Sequence, residues 1–362
     1  MSKLRDLHAR MADITARLRS QDAGGATEII QRALASAGLT SPTSSGSAAP
    51  QSLRKLLTGL APRPAPWVNV PGAMPHADTA DDKFISSTLQ GRRYKTYVPS
   101  SYQGQAMPLV VMLHGCTQDP DDFARGTQMN ALAEEKGFVV LYPAQDASAN
   151  ASKCWNWFNA IDQQRGQGEP ALIAAMTNEV IERYSLDRER VYVAGLSAGG
   201  AMAVIMGATY PDLYRAVGVH SGLPYAAASD LPSALSAMKG ISRRRNASHD
   251  ATLPIIVFHG DRDNTVSPAN GRVLIDDFAN GLDQADHVST LVEQGKAAGG
   301  RQFSRTTLHA EGKPVLAEHW VIHGAGHAWA GGSAAGTYTD AQGPDASREM
   351  FRFFSTQGAD RA

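Results

Sequence analysis

Apolar positions recur along this 362-residue chain in three successive rhythms. Over the first 40 residues, Leu4, Leu7, Met11, Ile14 and Leu18 return at spacings of three and four, which lays them on one stripe of a helix. Gly24-Gly25 interrupts the stripe, and a second helical run through Ile29, Ile30 and Leu34 ends near Gly38. Residues 1–40 therefore read as a helical hairpin. Two heptads are too short to specify a coiled coil. The stripe suits a homo-oligomer contact through these helices as well as it suits a hairpin packed on its own catalytic domain. Residues 41–80 lose the rhythm and become rich in Ser, Ala and Pro, as in Ala61-Pro-Arg-Pro-Ala-Pro66, so they read as a linker with one short helix near Leu53 to Leu60.

From about residue 81 to 358 short apolar runs alternate with amphipathic ones. Arg92 to Val98 predicts a strand, and Leu109-Val-Val-Met-Leu113 is a continuous apolar run of the kind buried inside a sheet. A helix over 122–135 leads to the strand Phe138–Tyr142, and a helix over 170–184 leads to the strand Val191–Ala194. Another helix starts at Ala198. Strands follow at Ala216–Val219 and Pro254–Phe258, then a helix over 268–280, a strand pair over 302–309 and 315–322, and a last helix through Met350 to Phe354. Alternation at these lengths predicts one α/β domain, a mostly parallel central sheet with helices on both faces.

Composition narrows the class of activity. Hydrophobic residues make up 43% of the chain and charged residues 19%, as in a soluble globular enzyme. A net charge of −1 supplies no field to hold nucleic acid or an anionic membrane, and the short Arg243-Arg244-Arg245 run reads as a solvated loop. No run approaches the roughly 20 apolar residues of a membrane span. Met1 to Arg10 is charged and has no apolar signal-peptide core, which points to the cytoplasm. Two cysteines, Cys116 and Cys154, are too few for a disulfide scaffold or a structural zinc site.

The chemistry concentrates at strand ends. Gly195-Leu-Ser-Ala-Gly199 lies directly after one predicted strand and before a helix, the context in which G-x-S-x-G presents a nucleophilic serine on a sharp turn. Ser197 is the candidate nucleophile, and its helix N-terminus aims free N–H groups at a developing oxyanion. The orienting acid is expected after the serine and the base last. Asp261 and Asp263, just past the strand Pro254–Phe258, are the acid candidates, and local sequence does not separate them. His323 and His327 follow the last strand. His327, farther out on a glycine-rich loop, is the better placed base, and His323 reads as a strand-end residue. Backbone N–H groups of Cys116 and Ala198 are the candidate oxyanion donors. Cys154 could bridge to Cys116 if their two loops rise from the same sheet edge. No metal or organic cofactor is called for.

Taken together, Leu113-His-Gly-Cys-Thr-Gln118, Cys154-Trp-Asn-Trp157, Gly195-Leu-Ser-Ala-Gly-Gly200, Ser221-Gly-Leu-Pro-Tyr225, Asp263-Asn-Thr-Val266 and Gly324-Ala-Gly-His-Ala-Trp329 resemble the poly(3-hydroxybutyrate) depolymerase family of esterases. The order, with His-Gly-Cys ahead of the serine, looks like the type 1 catalytic domain of short-chain-length polyhydroxyalkanoate depolymerases. The resemblance implies an α/β-hydrolase fold, Ser197 as nucleophile, His327 as base and Asp263 rather than Asp261 as acid. It also implies that Trp155, Trp157, Trp329 and Tyr225 line the substrate pocket, and it makes the extracellular medium the alternative location. The expected partner is a small ester or a soluble polyester oligomer rather than solid polymer, because about 35 residues follow His327, with no adsorbing domain among them. Feruloyl or acetylated-sugar esters are the alternative substrates. A non-catalytic binding protein on a hydrolase fold is the rival from another class.

Overall fold

Strand β3 (Leu109–Leu113), β4 (Val139–Pro143), β5 (Val191–Leu196), β6 (Ala216–His220) and β7 (Ile255–Gly260) are almost wholly apolar, and every residue in them is buried. Strands of that kind must be covered on both faces, which favours parallel pairing with crossover helices. The computed structural model, which describes residues 83–241, 253–282, 288–310 and 314–357, has this arrangement. With β10 (Val315–Ile322), the five strands run parallel in the order β4-β3-β5-β6-β7-β10. Antiparallel pieces close both edges. A hairpin of β1 (Phe84–Leu89) and β2 (Arg92–Tyr97) pairs with β4, and β9 (Gln302–Ala310) with β8 (Val288–Lys296) extends from β10.

Alternate residues of each strand feed opposite faces. Leu109, Val111, Val191, Val193 and Val257 pack with α3 (Gly168–Arg183), α4 (Ala198–Thr209), α5 (Leu231–Met238) and α6 (Ala269–Asn280). Val110, Met112, Tyr192, Ala194 and Phe258 pack with α1 (Pro120–Thr127), α2 (Met129–Lys136) and α7 (Ala346–Thr356). The expected fold class stands.

Three details differ from the sequence reading. The single helix over 122–135 is two helices, because Gln128 takes a left-handed φ of 56° and its N–H closes α1 on the Ala124 carbonyl. Strands β1 and β8 lie at sheet edges with largely exposed residues, so their patterns carry little apolar signal. Helix α5 begins on a capping box formed by Asp230 and Ser233, with Pro232 in its first turn. The N-terminal hairpin, the linker and Arg243-Arg244-Arg245 fall outside the described residues.

Candidate active site

Ser197 occupies the single residue between β5 and α4, with φ 57° and ψ −118°. A side-chain-bearing residue is held there only by its surroundings, at a cost on the order of 1–3 kcal/mol. The Ser197 N–H donates to the His220 carbonyl at 2.9 Å, tying the turn to the end of the next strand. The flanking glycines are steric requirements. A Cβ on Gly195 would lie 2.3 Å from the Gly199 carbonyl oxygen, and one on Gly199 would lie 2.0 Å from that of Leu113. Only glycine lets α4 start so close to β5 and to the end of β3.

The four acid and base candidates form two pairs. Backbone N–H groups of Asp261 and Arg262 donate to the Ile322 and Ala325 carbonyls, extending the β7–β10 ladder past the strand ends and bringing the two loops together. In one pair His327 Nδ1 donates to Asp263 Oδ2 at 2.6 Å, and the side chains are 11% and 0% exposed. In the other, His323 Nδ1 lies 3.0 Å from Asp261 Oδ2, with side chains 41% and 37% exposed. His323 Nε2 reaches Ser304 Oγ, and Asp261 Oδ1 accepts the Gly324 N–H. Burial distinguishes them, because an ion pair strengthens as water is removed and the exposed pair is screened.

Asp263 is further held as an anion. Its Oδ1 accepts the Thr265 and Val266 N–H groups, each at 2.9 Å. Burial alone would raise its pKa, but hydrogen bonds from His259 and His327, the His327 charge and the Val266 N–H hold the carboxyl well below the usual carboxylate range.

The loop after β3 is fastened at every residue. Cys116 and Cys154 are joined by a disulfide, since β3 and β4 are adjacent parallel strands whose following loops leave the same edge. The Thr117 N–H donates to the Ser152 carbonyl, the Gly115 N–H to Gln118 Oε1, and the Trp155 indole to the His114 carbonyl. His114 accepts the Gln145 N–H on Nε2, so its proton sits on Nδ1, which donates to the Gly115 carbonyl at 2.8 Å. That bond fixes the Gly115–Cys116 peptide plane and points the Cys116 N–H the opposite way. Among the described residues neither the Cys116 N–H nor the Ala198 N–H has a protein acceptor. The bridge closes a separation of 38 residues. Reduction, or Cys154→Ser, is expected to lower unfolding stability by about 4 kcal/mol by chain entropy; an unchanged denaturant midpoint under reductant would contradict this.

The tryptophans require a correction. Trp155 and Trp329 are each 1% exposed, with their indole N–H groups on the His114 carbonyl and the Ser347 hydroxyl. They present no surface to a ligand. Trp155 fastens the Cys116 loop, and Trp329 stacks on His220 beneath the sheet ends. Trp157 is also buried, against Phe158. Trp155 and Trp157 belong to one core layer and Trp329 to the other, so the apolar area of all three is spent on packing. Tyr225 stays half-buried, its hydroxyl donating to the Gln163 carbonyl. Sequence reasoning missed Gln145 and Glu169, polar residues with no motif of their own. Among the described residues no group of three or more His, Cys, Asp or Glu side chains could hold a metal ion.

Buried histidines give the fold a pH dependence. Burial pushes His114 and His319 down to about 4 and His220 to about 3. Below about 6.5 the unfolded chain binds protons that these rings do not bind in the fold, so stability falls as pH falls. His114 alone accounts for about 3 kcal/mol by pH 4. Glu169 works in the opposite sense. Burial, then the Asp162 charge, pushes it up to about 7, and the stability it contributes below about 4.5 is lost as pH rises through 7. Three histidines outweigh one carboxyl, so the thermal midpoint is expected to peak near neutrality and drop steeply below about pH 6; a flat profile down to pH 4.5 would refute this balance.

A family model described as "Esterase PHB depolymerase" matches residues 92–293. Among curated proteins, poly(3-hydroxyalkanoate) depolymerase C of Paucimonas lemoignei is 37% identical over 245 residues, 64% of this chain and 57% of that protein. Feruloyl esterase B of Neurospora crassa is 28% identical over 280 residues, covering 72% of this chain and 87% of the relative. The chain thus spans little more than half the depolymerase's length. Among solved structures, an acetyl xylan esterase from Aspergillus awamori superposes with a TM-score of 0.58 at 20% identity, covering 75% of this chain and 99% of that one. That likeness carries the α/β-hydrolase fold.

Proposed function

This chain belongs to the PHB depolymerase family of esterases, and from that premise we propose that it hydrolyses short-chain hydroxyalkanoate esters through a Ser197–His327–Asp263 acyl-enzyme mechanism. The observation that carries the reading is the buried Asp263–His327 pair, set two strands along the sheet from a serine on a positive-φ turn. His327 Nε2 takes the Ser197 proton as Oγ attacks the ester carbonyl carbon. The Cys116 and Ala198 N–H groups hold the oxyanion. The bond to the alcohol breaks, and the alcohol leaves with the proton from His327. Water, deprotonated in turn by His327, attacks the acyl carbonyl and frees the acid and Ser197. Asp263 stays ionised throughout and stabilises the imidazolium.

The 37% identity to a poly(3-hydroxyalkanoate) depolymerase supports a hydroxyalkanoate ester as substrate. A second reading, a feruloyl or acetylated-sugar ester, is favoured by the feruloyl esterase relative, most of whose length aligns. A panel of 3-hydroxybutyrate oligomers, amorphous polymer, feruloyl esters and acetylated xylan separates the two. The oligomers are expected to give the highest kcat/KM; a preference for feruloyl esters would transfer the assignment. A fluorophosphonate probe is expected to label Ser197, and an unlabelled protein would favour a non-catalytic binding role.

A further inference from the structure

Glu169, the second residue of α3, is a buried carboxyl group that the mechanism above does not use. Its Oε1 accepts the Gln145 side-chain amide and Asn156 Nδ2, the latter at 2.7 Å, and its Oε2 accepts the Asn156 N–H at 2.8 Å. Three N–H donors converge on it, and among the described residues no cation touches it. Arg92 reaches only the Oε1 of Gln145.

Both neighbours lead to the Cys116 N–H. Gln145 donates its backbone N–H to His114 Nε2, and that ring fixes the Gly115 carbonyl, whose peptide unit carries the Cys116 N–H. The same Gln145 donates its side-chain amide to the Cys154 carbonyl at 2.9 Å, and Cys154 is the other half of the bridge to Cys116. Asn156 holds the loop two residues beyond Cys154. Glu169 thus stands at the root of two separate supports for one amide.

We propose that Glu169 is a positioning residue that sets the oxyanion-binding geometry of Cys116 through Gln145 and Asn156, without touching substrate. The inference rests on the Ser197 esterase reading. The donor set explains the residue type: two carboxylate oxygens accept all three N–H groups, whereas a glutamine would turn its own NH₂ onto one of them. Displacing an oxyanion donor raises the barrier while leaving ground-state binding almost intact, because the charge it serves exists only in the transition state.

The test compares Glu169→Gln with the unaltered protein, using p-nitrophenyl butyrate turnover and the affinity of an alkyl trifluoromethyl ketone, which adds to the serine and mimics the oxyanion. Expected is a kcat reduced about 10- to 100-fold, a KM within about threefold and ketone affinity reduced in parallel with kcat. Glu169→Asp, which keeps both acceptors on a shorter stem, is expected to recover part of the loss and carries the comparison if the glutamine variant does not fold. Wild-type kcat and ketone affinity in either variant, or a kcat loss without a matching loss of ketone affinity, would overturn the proposal. Failure of the fluorophosphonate to label Ser197 in the unaltered protein would instead bring down the esterase reading itself.

Discussion

Alanine at position 197 is expected to lower kcat on p-nitrophenyl butyrate by about 10⁴-fold or more while the fold stays intact. Four decades correspond to about 5.5 kcal/mol of transition-state stabilisation. The substitution removes only the hydroxyl. Alanine keeps the Cβ, so the strain of φ 57° persists and the Ser197 N–H still reaches the His220 carbonyl. The thermal midpoint should accordingly move by no more than a degree or two, so lost activity cannot be ascribed to unfolding. Residual turnover above about a tenth of the unaltered rate would exclude Ser197 as nucleophile.

Asp263→Asn is expected to cost about 10³- to 10⁴-fold in kcat, and Asp261→Asn no more than a few-fold. The reason lies in the donors around each carboxylate. At Asp263 the Thr265 and Val266 N–H groups already claim one oxygen, and His327 Nδ1 donates to the other. An asparagine would give its only oxygen to the two backbone donors and turn its NH₂ toward His327. The ring would then carry its proton on Nε2, where it can no longer accept one from Ser197. Asp261 faces solvent and a half-exposed His323, so water replaces what its amide loses. Steady-state kinetics of the two variants settles the matter; a larger loss at 261 would make Asp261–His323 the working pair.

Much of this arrangement could be read from the amino acids. Leu109–Leu113 and Val191–Leu196 are too apolar to have an exposed face, so their burial in a covered sheet followed directly. Gly195 and Gly199 bracket Ser197 at the spacing a strand–turn–helix demands, and the close approaches in the structure are the steric reason. Elements at the sheet margin were harder to see. Strand β8 offers Ser289, Thr290, Glu293 and Gln294 to solvent, and a strand that buries little has no alternation to detect. The helix break at Gln128 depends on one backbone conformation within an otherwise helical pattern.

The site divides in the same way. Residue types and local spacing named the serine, two carboxylates, two histidines and two cysteines, because each sits in a motif legible within a few positions of the chain. Which carboxylate belongs with which histidine depends on the β7–β10 ladder and on burial, both products of residues some 60 positions apart. Whether the cysteines meet depends on β3 and β4 being neighbours in the sheet. Whether Trp155 and Trp329 face a ligand or the core depends on how the layers close over them. Local chemistry is written in sequence; solvent exclusion is not, since water leaves a group only when distant parts of the chain come to cover it.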